Sequence, residues 1–159
     1  MRLIDTVKIV NGISPIDFDG GVTTDWVSLK NYNHCTVVIS LGVVGGAENI
    51  SLDQATAVDG TATKAYAAFD TIYVNAAVSA TDTLVKTDTS GTDLHAHSTA
   101  NGQMFVIEVD AATLDVANGF DCLNVDVSTP GVATFGSIVF IMSEPRYMAG
   151  VGSPTAILD

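Results

Sequence analysis

The sequence predicts an all-β chain: a single antiparallel β-sandwich of jelly-roll type with extended arms at its two ends. Three observations lead there. Apolar residues come in short, period-two or continuous runs rich in Val, Ile, Ala and Thr. Gly, Asn, Asp, Ser and Thr separate those runs at short intervals. No stretch keeps a 3.6-residue apolar period long enough for the helices of roughly 10–15 residues that a parallel α/β fold requires, so strands joined by turns remain.

Taken in order, Trp26-Val27-Ser28-Leu29 leads into a central run, residues 34–44, that Gly45-Gly46 ends. Residues 48–57 alternate loosely up to the turn Val58-Asp59-Gly60. Residues 64–69 and 71–77 read as two short strands broken at Asp70, and 83–86 as another. Residues 87–102 are polar, aperiodic and Gly-bearing, which predicts an exposed loop. Residues 103–110 are a clear strand, and 111–116 a helical turn or bend. Residues 120–127 alternate, with Leu123, Val125 and Val127 on the more apolar side. After the turn Ser128-Thr129-Pro130-Gly131, residues 135–142 return as a strongly apolar strand, and these last two strands are expected to pair as a hairpin. In the final strand Ile138, Phe140 and Met142 should share one buried face, with Val139 and Ile141 covered on the other.

A chain of 159 residues fits one domain, placed at 23–148. Residues 1–22 mix apolar side chains with Asn11-Gly12, Ser14-Pro15 and Gly20-Gly21, and read as an arm or an edge strand. Residues 149–159 form a small, irregular tail that still ends on Ala156-Ile157-Leu158. Apolar residues on such ends need a surface to cover them, which makes Leu3, Ile4, Val7, Ile9, Ile13, Ile157 and Leu158 the candidate partner-binding residues.

Composition narrows the function. Six basic residues face eighteen acidic ones, a formal charge of −12 with no basic cluster. Nucleic-acid binding rests on neutralising phosphates with Lys and Arg, so it is not expected. No run reaches the roughly 18 apolar residues of a membrane helix, and residues 1–8 lack the pattern of a secretory signal, which points to synthesis in a cytoplasm. Cys35 and Cys122 each lie inside an apolar β-like run and are expected as buried free thiols.

No motif completes a catalytic or cofactor pattern, and neither an enzyme activity nor a cofactor is expected. His95-Ala96-His97 suggests a cupin metal pair, but Asn101 and Gly102 stand where the following Glu should be and no later His exists. Asp17-Phe18-Asp19-Gly20 and residues 88–93 resemble pieces of calcium loops without the closing Glu, and Asx turns explain them equally. His34 and Cys35 are adjacent, and adjacent strand residues point to opposite faces. Trp26, Tyr32, Tyr66, Tyr73 and Tyr147 could line a glycan platform or pack in the core.

Residues 105–110, then 119–128 (GFDCLNVDVS), then 136–140 with Pro145-Arg146-Tyr147, resemble small virion structural proteins of tailed bacteriophages, of the auxiliary capsid (decoration or cement) kind. The resemblance implies a β-sandwich subunit on the capsid exterior. It would be a homo-oligomer clamping the major capsid protein and other virion subunits through its arms. The alternative it leaves open is a carbohydrate- or receptor-binding sandwich of a tail or fibre.

Overall fold

The computed structural model describes residues 3–46, 48–67, 71–88, 93–96, 102–129 and 131–147. These hold twelve strands: β1 (Lys8–Asp17), β2 (Val22–Thr23), β3 (Val27–Ser28), β4 (Tyr32–Leu41), β5 (Glu48–Ala55), β6 (Lys64–Ala65), β7 (Thr71–Asn75), β8 (Val85–Asp88), β9 (Asp93–Ala96), β10 (Gln103–Asp110), β11 (Cys122–Val127) and β12 (Phe135–Pro145). One sheet runs β1-β12-β4-β10-β7-β8; the other runs β2-β11-β5-β6, with β3 also on β11 and β9 on β5. The pairing is antiparallel and nested: β1 with β12, β2 with β11, β4 with β10, β5 with β6. A long hairpin rolled over on itself gives this order, which is that of a jelly roll.

Period-two alternation builds the core between the sheets. On β4, Cys35, Val37, Ile39 and Leu41 are buried while His34, Thr36, Val38 and Ser40 face outward. On β12, Ile138, Phe140 and Met142 are fully buried, as their spacing predicts. Val139 and Ile141 are not covered as expected: both are half-buried. An antiparallel sheet can pack one face on the core and leave the other to solvent. Phe18, Tyr32, Tyr66 and Phe140 are the largest fully buried side chains, each removing from water an apolar surface that stabilises by roughly 1.5–3 kcal/mol.

Of the two readings open for residues 1–22, Lys8–Asp17 takes that of an edge strand, running the length of β12. Register shifts fall between Asn11 and Ile13 and between Ile13 and Ile16, so Gly12 and Pro15, which look like breakers, sit in the irregularities that an edge strand tolerates. The last two strands are not a hairpin; β11 pairs with β2, β3 and β5 in one sheet and β12 with β1 and β4 in the other, so the chain leaves one sheet at Val127 and enters the other at Phe135. The stretch 87–102 contains β9 and the end of β8. Of the strand expected over 64–69, the described residues form Lys64–Ala65; Tyr66 is buried with its hydroxyl 2.6 Å from Thr113 Oγ1, and residues 68 and 69 lie outside the described residues. Residues 111–118 do form tight turns, Ala111–Thr113 and Val116–Asn118, and Gly119 at φ 83° closes the second.

Candidate functional site

The outward face of the first sheet is built by register. Across β1, β12, β4, β10 and β7, one row reads Asn11, Val139, Val38, Val106 and Tyr73. The next reads Ile9, Ile141, Thr36 and Glu108. The row beyond holds Ser143, His34 and Asp110. An apolar band therefore gives way to a charged cluster along the strand direction.

Within that cluster His34 Nδ1 lies 2.7 Å from Asp110 Oδ1 and Nε2 lies 2.6 Å from Glu108 Oε2, which also accepts from Thr36 Oγ1 at 2.7 Å. Both ring nitrogens face carboxylates, so the doubly protonated imidazolium suits the site. Burial alone would lower the pKa of His34, but hydrogen bonds to Asp110 and Glu108 and their charges outweigh it and hold the group above its ordinary value. Ser143, His34 and Asp110 share a row, yet with Nε2 committed to Glu108 no ring lone pair faces Ser143, and the arrangement lacks the base that a serine nucleophile needs.

The sequence-predicted partner residues separate into three groups. Leu3 and Ile4, in a short turn before β1, and Ile9, on its outer face, are 63%, 58% and 47% exposed. Val7 and Ile13 are buried in the chain's own structure. Their side chains therefore hold the edge strand on the sandwich. Ile157 and Leu158 lie outside the described residues.

A second apolar group was not foreseen. Phe135 and Val43 are both more than 60% exposed, and Ile16 and Val132 about 40%. They gather at one end of the sandwich: Ile16 pairs with Gly136, Gly42 N–H donates to Phe135 carbonyl oxygen at 2.7 Å, and a Cβ on Gly45 would stand 2.8 Å from Val132 Cγ2. A signal existed for Phe135. Its number is odd where the buried residues of its strand are even, so alternation turns it outward.

The remaining motifs fall apart in space. His34 faces out and Cys35 in, and Cys35 and Cys122 are both free and buried, in different sheets. Asp17 accepts from the backbone N–H of Asp19 and Thr134, an ordinary Asx arrangement beside the buried Phe18. His95 lies on β9, and His97 is outside the described residues. Among the described residues no group of three or more His, Cys, Asp and Glu is placed to hold a metal. Tyr32 and Tyr66 are core residues, Trp26 is half-buried against Gly60, Tyr73 is on the first sheet, and Tyr147 stands exposed after β12, so these five aromatics are dispersed.

No protein family matches the chain, and no curated protein matches it. Among solved structures, the SPBc2 prophage-derived protein YomS is similar at 9% identity and a TM-score of 0.45, over 85% of this chain and 92% of that one. A structure of infectious bursal disease virus, Gx strain, is similar at 17% identity and a TM-score of 0.37, over 89% of this chain and 32% of that one. Naturally occurring empty particles of cowpea mosaic virus give 13% identity and a TM-score of 0.37, over 86% and 61%.

Proposed function

We propose that the chain is a structural subunit of a tailed-phage virion, a decoration or cement protein on the capsid exterior that stabilises the head through protein–protein contacts. The observation that carries this reading is the sheet edge at β1, where Leu3, Ile4 and Ile9 stand exposed and, among the described residues, no further strand pairs on the outer side. Neighbouring copies and the major capsid protein are the surfaces that would cover it, with Ile157 and Leu158 as a second point of attachment. The resemblance carried by residues 105–147 supports the same reading, and the net charge of −12 suits a position away from the packaged nucleic acid.

The test is co-sedimentation of the purified chain with empty heads assembled from the major capsid protein encoded beside it. Wild-type protein should pellet with the heads and raise their melting temperature. The L3S/I4S/I9S variant, folded by circular dichroism, should do neither. Equal pelleting of wild type and variant would remove the edge from the contact, and no pelleting of either would remove the capsid as partner.

A further inference from the structure

The outward face of the second sheet carries chemistry that the proposed virion role does not use. On β5 and β11 the inward residues are Ile50, Leu52, Leu123, Val125 and Val127, all in the core. Alternation therefore puts Asp53, Asn124 and Asp126 on the outer face. Asn124 lies directly across from Asp53, and Asp126 follows two residues along on the same strand and face. Asn124 is only 3% exposed, and its Oδ1 is buried with no hydrogen-bond partner. A buried amide oxygen left without a donor is destabilising, and native structures rarely keep one without a ligand, ion or water to satisfy it.

We propose that Asp53, Asn124 and Asp126 form a binding site for a hard divalent cation of the calcium class. All three present oxygen acceptors, and what they lack is a positive charge. The salt bridges among the described residues engage Glu108, Asp110 and Asp115, and neither Asp53 nor Asp126 takes part in one. The nearest basic strand neighbour, Lys64 on β6, has its amine bound to Asp115 and set 4.0 Å from the centre of the Phe120 ring. Asp53 and Asp126 sit on one face of neighbouring strands, two residues apart in register, so their negative charges repel, a repulsion that a cation removes and a neutral sugar does not.

The ligand set decides the metal class. Two carboxylates and an amide oxygen, with no sulfur or imidazole, suit an ion that binds oxygen and tolerates irregular geometry. Thr23 Oγ1 already donates to Asp126 Oδ1 at 2.5 Å, leaving the other carboxylate oxygen for the ion. A polar cavity of about 310 Å³ opens on the β2 side of Asp126, lined by Thr23, Asp126, Ser128 and Thr129 among others, so solvent reaches that carboxylate from the side away from Asp53. The site is independent of the fragmentary calcium-loop motifs at Asp17 and Asp88.

The experiment uses the full chain, stripped with a chelator, in thermal melts and calorimetric titration with calcium chloride, with magnesium chloride and sodium chloride at matched ionic strength as controls. Calcium should raise the melting temperature saturably, with a dissociation constant on the order of a millimolar or tighter. In the D53N/D126N variant the affinity should fall at least tenfold. Should that pair fail to fold, D53N alone, which leaves the Thr23 bond in place, should lose most of the response. A wild-type response equal in calcium and sodium would be screening alone and would overturn the proposal, as would an unchanged calcium response in a folded variant.

Discussion

His34 Nε2 stands 2.6 Å from Glu108 Oε2, reaching diagonally across the β4–β10 boundary while Nδ1 engages Asp110. The folded state raises the pKa of His34, so the bond adds its full stability below the unfolded value of about 6.5 and loses it as pH rises through the folded value. The acidic groups facing the ring are Glu108 and Asp110, with Thr36 and Ser143 its uncharged neighbours by register. Glu108 and Asp110 side chains are 41% and 68% exposed, so solvent screening holds the effect below about 1 kcal/mol. Comparing wild type with H34Q by urea unfolding from about pH 6 to 9, the stability difference should shrink as pH rises. A difference that is flat or grows would contradict the geometry.

Gly12 and Phe140 are locked together. A Cβ on Gly12 would lie 2.7 Å from Phe140 Cε2, and Phe140 is fully buried. Replacing Phe140 with Ala should cost about 3–5 kcal/mol, and G12A about 1–3 kcal/mol by overpacking. In G12A/F140L the smaller side chain makes room for the added methyl, so in the cycle of wild type, G12A, F140L and G12A/F140L the double variant should be less destabilised than the sum of G12A and F140L. Chemical denaturation of the four proteins reads this directly, and strict additivity would place Gly12 away from the ring.

Both thiols should be unreactive in the native state. Burial, and then the Glu108 charge, pushes the Cys35 thiol well up, while burial, the Asp121 hydrogen bond and its charge push Cys122 up to about 12. A thiol reagent at neutral pH should label neither quickly, and unfolding without reductant should release two. A count of zero would reveal a disulfide.

Deleting residues 1–18 should abolish cooperative folding, because it removes β1 together with Val10, Ile13 and Phe18 from the core. The L3S/I4S/I9S variant changes only exposed side chains of the same region and should melt within a few degrees of wild type. A cooperative melt from the deleted chain would show that β1 is dispensable and behaves as a detachable arm.

Much of this molecule is legible in its sequence where the governing physics is local. Alternation along a strand follows from backbone stereochemistry, so the inward set Ile138, Phe140 and Met142 and the opposite facing of His34 and Cys35 can be read from spacing. The two cysteines in apolar runs likewise announce buried thiols. The same rule would have turned Phe135 outward had it been carried three residues further back.

Pairing is decided otherwise. Strand β1 meets β12 across more than a hundred residues, and no local pattern says which of two adjacent apolar strands, β11 or β12, belongs to which sheet. Gly12 and Pro15 read as breaks along the chain, and only the neighbouring β12 makes them irregularities of an edge strand. Asp53, Asn124 and Asp126 stand side by side only through the β5–β11 register. Alternation is a property of single residues on a pleated chain and belongs to the sequence; registers and exposed edges arise from the nested closure of the whole roll, and those the tertiary structure alone determines.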